Sequence, residues 1–106
     1  MILATALSKN GIPIRLTQER WLHITTSHIE IDPTSPKNII NTIKSPDIIL
    51  KGDTGELLAI KKKPGKNLWI VVAYKEISKV DGSVITAYLT TDSRWLFQRR
   101  IIWNKK

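Results

Sequence analysis

The sequence predicts an α+β domain: an antiparallel meander of four strands, or slightly more, with two N-terminal helices packed on one face. Two observations carry this expectation. The hydrophobic period changes from 3.6 to 2 near Asp47, and glycine and proline turn signals then cut the chain into segments of strand length. With 106 residues, 42% hydrophobic and 25% charged, the chain has the size and composition of one folded domain. Residues 1–106 are therefore read as a single unit.

The first element follows from Asn10-Gly11, which lies between Ala4-Thr5-Ala6-Leu7 and Ile12-Pro13-Ile14-Arg15-Leu16. Asn-Gly favours a type I′ turn, so a short hairpin is expected, with Pro13 placing its second strand at a sheet edge. Thr17 is positioned to cap a helix whose first turn carries Glu19, where the helix dipole favours an anion. That helix is expected to run to about His28. Asp32-Pro33 interrupts the chain. Ser35-Pro36 then predicts an N-cap followed by proline at the first helical position, and Ile39, Ile40 and Ile43 form the apolar stripe of a second helix that Ser45-Pro46 ends.

From Asp47 onward, turn signals at 52–55, Pro64-Gly65 and Asp81-Gly82 separate strands expected over 47–51, 56–62, 68–76 and 84–91. Short turns make neighbours antiparallel. After Asp92 a capped helical turn over 93–97 precedes an edge strand through Ile101, Ile102 and Trp103.

Composition excludes several chemistries. Without cysteine there is no disulfide, zinc-thiolate site or thiol nucleophile. The start, MILATAL, lacks a basic leader, and no apolar run has the length of a membrane span, so a cytoplasmic protein with no membrane association is expected. The net charge of +8 is asymmetric: residues 1–50 carry five Lys/Arg against four Asp/Glu, and residues 51–106 carry twelve against five. A basic half of this kind suits a phosphate-rich partner through counterion release, or serves solubility alone.

His23 and His28 are the two histidines of the chain. Five positions apart, they are separated by about 140° on a helix, which disfavours a shared metal; neither metal nor cofactor is expected. At a helix end His28 would be held as imidazolium by the dipole, fitting a general acid or a phosphate contact. Arg20 shares a face with His23. On the last long strand, Thr86, Tyr88 and Thr90 alternate with Ile85, Ala87 and Leu89, giving a hydroxyl row that either meets solvent or hydrogen-bonds a phosphate. Lys61 and Lys62 point to opposite faces, while Lys63 and Lys66 are read as lysines blunting an exposed edge. Trp69 and Tyr74 read as core. Trp95, Phe97 and Trp103 interleave with Arg94, Arg99 and Arg100, a mixture suited to stacking bases and binding phosphates, or to packing the tail on the sheet.

The order of the segments RLTQERWLHI, HIEI, IINTIKSPDII, LLAIKK, LWIVVAYK and VITAYLT resembles the small prokaryotic and phage-associated nuclease-toxin domains of the barnase, EndoU, colicin and RelE-like group, strongest over residues 12–91. The resemblance implies a metal-independent ribonuclease, used as a toxin and restrained by an antitoxin or immunity protein. In that chemistry the ribose 2′-hydroxyl attacks the adjacent phosphate with acid/base help. Carried over, His28 is the principal acid or base and His23 the second. Thr86 and Tyr88 orient the phosphate, and Arg20, Lys61 and Arg15 bind it. The SHIE segment departs from the His-Pro-Glu order of relatives, which puts Glu30 in doubt. The rival readings are a non-catalytic nucleic-acid-binding domain on the same scaffold and a protein-interaction module.

Overall fold

A computed structural model describes residues 1–27 and 36–105 of the chain. The elements, in order, are β1 (Ile2–Leu7), β2 (Pro13–Thr17), α1 (Gln18–Ser27), α2 (Lys37–Lys44), β3 (Ile48–Lys51), β4 (Leu57–Lys62), β5 (Trp69–Glu76), β6 (Gly82–Thr90), α3 (Ser93–Leu96) and β7 (Ile101–Asn104). The strands form one seven-stranded sheet in the order β1-β2-β6-β5-β4-β3-β7. This corrects the expected architecture. The antiparallel run β3 to β6 is the middle of a larger, mixed sheet, extended by β7 on one side and by the β1–β2 hairpin on the other. Among the described residues there are three helices, one of them following the last meander strand.

The mixed character comes from a single junction. β2 runs parallel to β6, pairing Ile14 with Gly82 and Arg15 with Ser83. Pro13 therefore does not put β2 at an edge; as the first residue of its strand it needs no ladder donor there. Gly82, expected in a turn, belongs to β6 because an added Cβ would lie 2.5 Å from Ile14 Cδ1 and 2.7 Å from the Lys75 carbonyl oxygen. Only a residue without a side chain lets the strands approach this closely. The junction is tied by Arg15, whose Nε and Nη2 donate to Asp81 Oδ1 (2.9 Å) and Oδ2 (3.1 Å). It is tied again by Glu76, which accepts from Ser8 Oγ at 2.6 Å and from Asn10 Nδ2.

The hairpin itself uses a three-residue loop rather than the expected two-residue type I′ turn. Ser8 N donates to the Ile12 carbonyl and Gly11 N to the Ser8 carbonyl, with Gly11 left-handed at φ +78°, the pattern of a turn followed by a glycine bulge.

Helices α1 and α2 cover one face of the sheet. Trp21 and Ile24 of α1 and Ile39 and Ile43 of α2 join Ile14, Leu16, Ile70, Val72, Tyr74, Val84 and Ala87 in the larger core. Thr17 Oγ1 accepts from Arg20 N, capping α1. Pro36 occupies the N-cap of α2, and the expected cap Ser35 lies outside the described residues, as do His28 and Glu30. Right-handed twist accumulates across seven strands. The β1–β2 loop thereby meets the opposite edge, with the Lys9 ammonium 4.9 Å from the Trp103 ring centroid. The helix face is thus concave, with α2 seated against β1, β4 and β5.

The convex face carries a second, smaller core of Leu50, Leu58, Ile60, Val71 and Ala73, roofed by Leu96. A bulge between Val84 and Thr86 opposite Tyr74 and Ala73 breaks strict alternation in β6. Consequently Ile85 packs with Tyr88 on the convex face instead of opposing it, while Ala87 joins the concave core. No helix is long and apolar enough to cross a membrane among the described residues.

Candidate nucleic-acid interface

The residues 92–104 form a corner built by local rules. Asp92 Oδ1 accepts from Trp95 N at 3.1 Å, capping a single helical turn. The turn closes through Phe97 N to the Ser93 carbonyl and Arg99 N to the Leu96 carbonyl. One turn buries one side chain, and it is Leu96, fully enclosed over the convex core. The chain then enters β7, which pairs with β3, and Lys51 N donates to the Arg100 carbonyl. The corner is held at both ends.

Its outward side chains are what this fixing leaves exposed. Trp95 is 40% and Phe97 43% exposed, and Phe97 meets Trp69 edge-on at 5.5 Å between ring centroids. Trp69, expected in the core, is half-buried here on the convex face, whereas Tyr74 is enclosed on the concave one. The Arg99 guanidinium lies 4.7 Å from the Trp95 ring centroid. It donates to both Asp53 carboxylate oxygens (3.0 and 3.1 Å) and to the Lys51 carbonyl. Hydrogen bonds from Arg99 hold the Asp53 carboxyl below its ordinary range, and Asp53 in turn raises the pKa of Arg99. Burial pushes the nearby Tyr88 hydroxyl up, opposed by the Arg99 charge.

Beside this stack opens a shallow cleft of about 350 Å³, lined by Lys51, Gly52, Asp53, Trp95, Gln98, Arg99 and Arg100. Three cations face one carboxylate there, and that carboxylate is already paired. Arg94, on α3, is a further exposed cation. The arginine–aromatic interleaving was visible in the chain, but Asp53 and Lys51 were not, because Asp53 is 46 positions from its partner. Trp103 does not belong to the corner: it pairs with Ile49 and lies under Lys9.

The residues expected from the ribonuclease resemblance occupy three separate places. Arg20 and His23 are exposed on α1, over the concave face. Thr86 and Tyr88 lie on the convex face of β6, pairing with Ala73 and Val71. Lys61 lines a cavity between α2 and the β4–β5 hairpin. Arg15 is engaged by Asp81. The described residues alone bring none of the histidine, hydroxyl and lysine sets into one cleft. Among them no group of three or more His, Asp or Glu is placed to hold a metal ion. The chain matches no family model, no curated protein and no solved structure.

Proposed function

We propose that this chain is a nucleic-acid-binding module that takes single-stranded nucleic acid at the α3–β7 corner. The observation carrying this reading is the half-exposed Trp95 ring stacked by Arg99 beside the exposed Lys51 and Arg100. Bases stack on aromatic rings irrespective of sequence, while neighbouring cations neutralise the backbone. A single strand fits better than a duplex. The helix at this corner has four residues, too short to enter a groove, and exposed rings are of use only to unstacked bases. The net charge of +8 draws such a polyanion at long range.

The test is fluorescence anisotropy of a labelled oligouridylate titrated with protein between 50 and 200 mM salt. With Lys51, Arg94 and Arg100 each meeting one phosphate, log K is expected to fall with log salt at a slope of about −2, roughly a 20-fold weakening over that range. Absence of binding, or binding insensitive to salt, contradicts the proposal. RNA length is read on a gel from the same incubations. Intact RNA accords with a binding module, and cleavage that disappears in His28→Ala or His23→Ala would favour the ribonuclease reading instead.

A further inference from the structure

The geometry points to a second, separate anion site: the cavity between α2 and the β4–β5 hairpin receives a single phosphate group. The cavity measures about 180 Å³, room for about six waters. Its walls are Lys61, Lys62 and Lys63 from the hairpin and Asn38, Asn41 and Thr42 from α2, with Ile70 and Pro64 completing it. Among the described residues no carboxylate lines it.

Both walls are fixed without a ligand. The hairpin closes through Lys63 N to the Leu68 carbonyl and Lys66 N to the Lys63 carbonyl, with Gly65 left-handed at φ +72°. Helix α2 is seated by the buried Ile39 and Ile43, and Thr42 Oγ1 donates to the Asn38 carbonyl at 2.7 Å. Asn38 and Asn41, three apart, therefore present their carboxamides from one side of the helix.

Lys63 and Lys66 are the lysines expected to blunt an edge; Lys61 and Lys62 pair with β5 alone, past the β3 ladder that ends at Ile60, and the Lys62 N–H on that side is taken by Asp47. Asp47 accepts from the Lys62 backbone N–H and from Lys105 Nζ, both at 2.9 Å, and is near enough to Lys61 for their charges to interact. Lys61 pairs with Ile70 of the concave core and Lys62 with Trp69 on the convex face, so Lys61 and Lys63 are the lysines whose ammonium groups are available to the cavity, and like charges there are relieved by an anion. Ammonium and carboxamide donors around a small space match the oxygens of one phosphate, whether free or at the end of a nucleotide. The site is distinct from the α3–β7 corner. Lys51 of that corner pairs with Leu57 at one end of β4, and Lys61 and Lys62 stand at the other, about 15 Å along the strand.

Isothermal titration of the protein with uridine monophosphate, inorganic phosphate and uridine tests this. Saturable binding of both phosphates and none of uridine is expected. Tighter binding of the monophosphate assigns a nucleotide end as occupant, and equal binding assigns free phosphate; either upholds the site. The double variant Lys61→Gln, Lys63→Gln is expected to weaken phosphate by at least about tenfold. Asn41→Asp, at an exposed position, adds a negative charge to the wall without disturbing the fold and is expected to weaken it similarly. No saturable phosphate binding, or binding unchanged in both variants, overturns the inference. No oligonucleotide enters the titration, so this outcome is independent of the corner's.

Discussion

Replacing Leu96 with alanine is expected to destabilise the protein by about 2–5 kcal/mol, a large part of the roughly 5–15 kcal/mol that holds a domain of this size together. Leu96 is fully buried and is the residue through which α3 closes the convex core over Leu50, Leu58, Ile60, Val71 and Ala73. A four-residue helix has no stability of its own, so without that anchor α3 loses its hold on the sheet. The Trp95–Arg99 stack rides on the same turn, and oligonucleotide binding should fall together with stability. Urea denaturation followed by circular dichroism measures the first effect. Phe97→Ala serves as the comparison, since its exposed ring should cost less. A loss below about 1 kcal/mol for Leu96→Ala would mean that the convex face has no closed core.

The second large effect is on affinity. Trp95→Ala is expected to weaken oligouridylate binding by about 1–3 kcal/mol, roughly 5-fold to 150-fold, the range for loss of one stacking platform. Stability should change little, because the Arg99 pair with Asp53 and its bond to the Lys51 carbonyl do not depend on the ring. The salt slope should also stay constant, since the indole carries no charge. Arg100→Glu provides the opposite signature: weaker binding with a slope flatter by about 0.7 or more. A Trp95→Ala protein that binds as well as the parent would remove the corner from consideration.

The difference between what the chain disclosed and what it concealed follows sequence distance. Local signals were readable: alternation and turn residues marked β3 to β6, and Asp92 marked α3. The parallel β2–β6 pairing joins residues 68 positions apart, Ile14 and Gly82, and no local period reports it. Its one trace, Gly82, stands in an Asp-Gly pair that reads equally as a turn. The bulge at Ile85 arises from pairing with β5 and moved one side chain to the other face.

For the site, the arginine–tryptophan interleaving after Arg94 was legible because it is contiguous. The partners that organise it, Lys51 and Asp53, come from the far end of the meander. Thr86, Tyr88, Lys61 and His23 each had chemistry suited to a phosphodiester, but side-chain type says nothing about convergence. The curled sheet sets Tyr88 on its convex side and α1 on its concave side.

The most direct measurement of the central claim is a two-dimensional ¹⁵N–¹H spectrum of the labelled protein titrated with oligouridylate. Shifts are expected in the amides of Lys51, Gly52 and Asp53 and of residues 94–100, and in the Trp95 indole. Perturbation confined to α1 and the segment after it, around Arg20 and His23, with the corner unchanged, would contradict the assignment and move the site to the histidine-bearing helix.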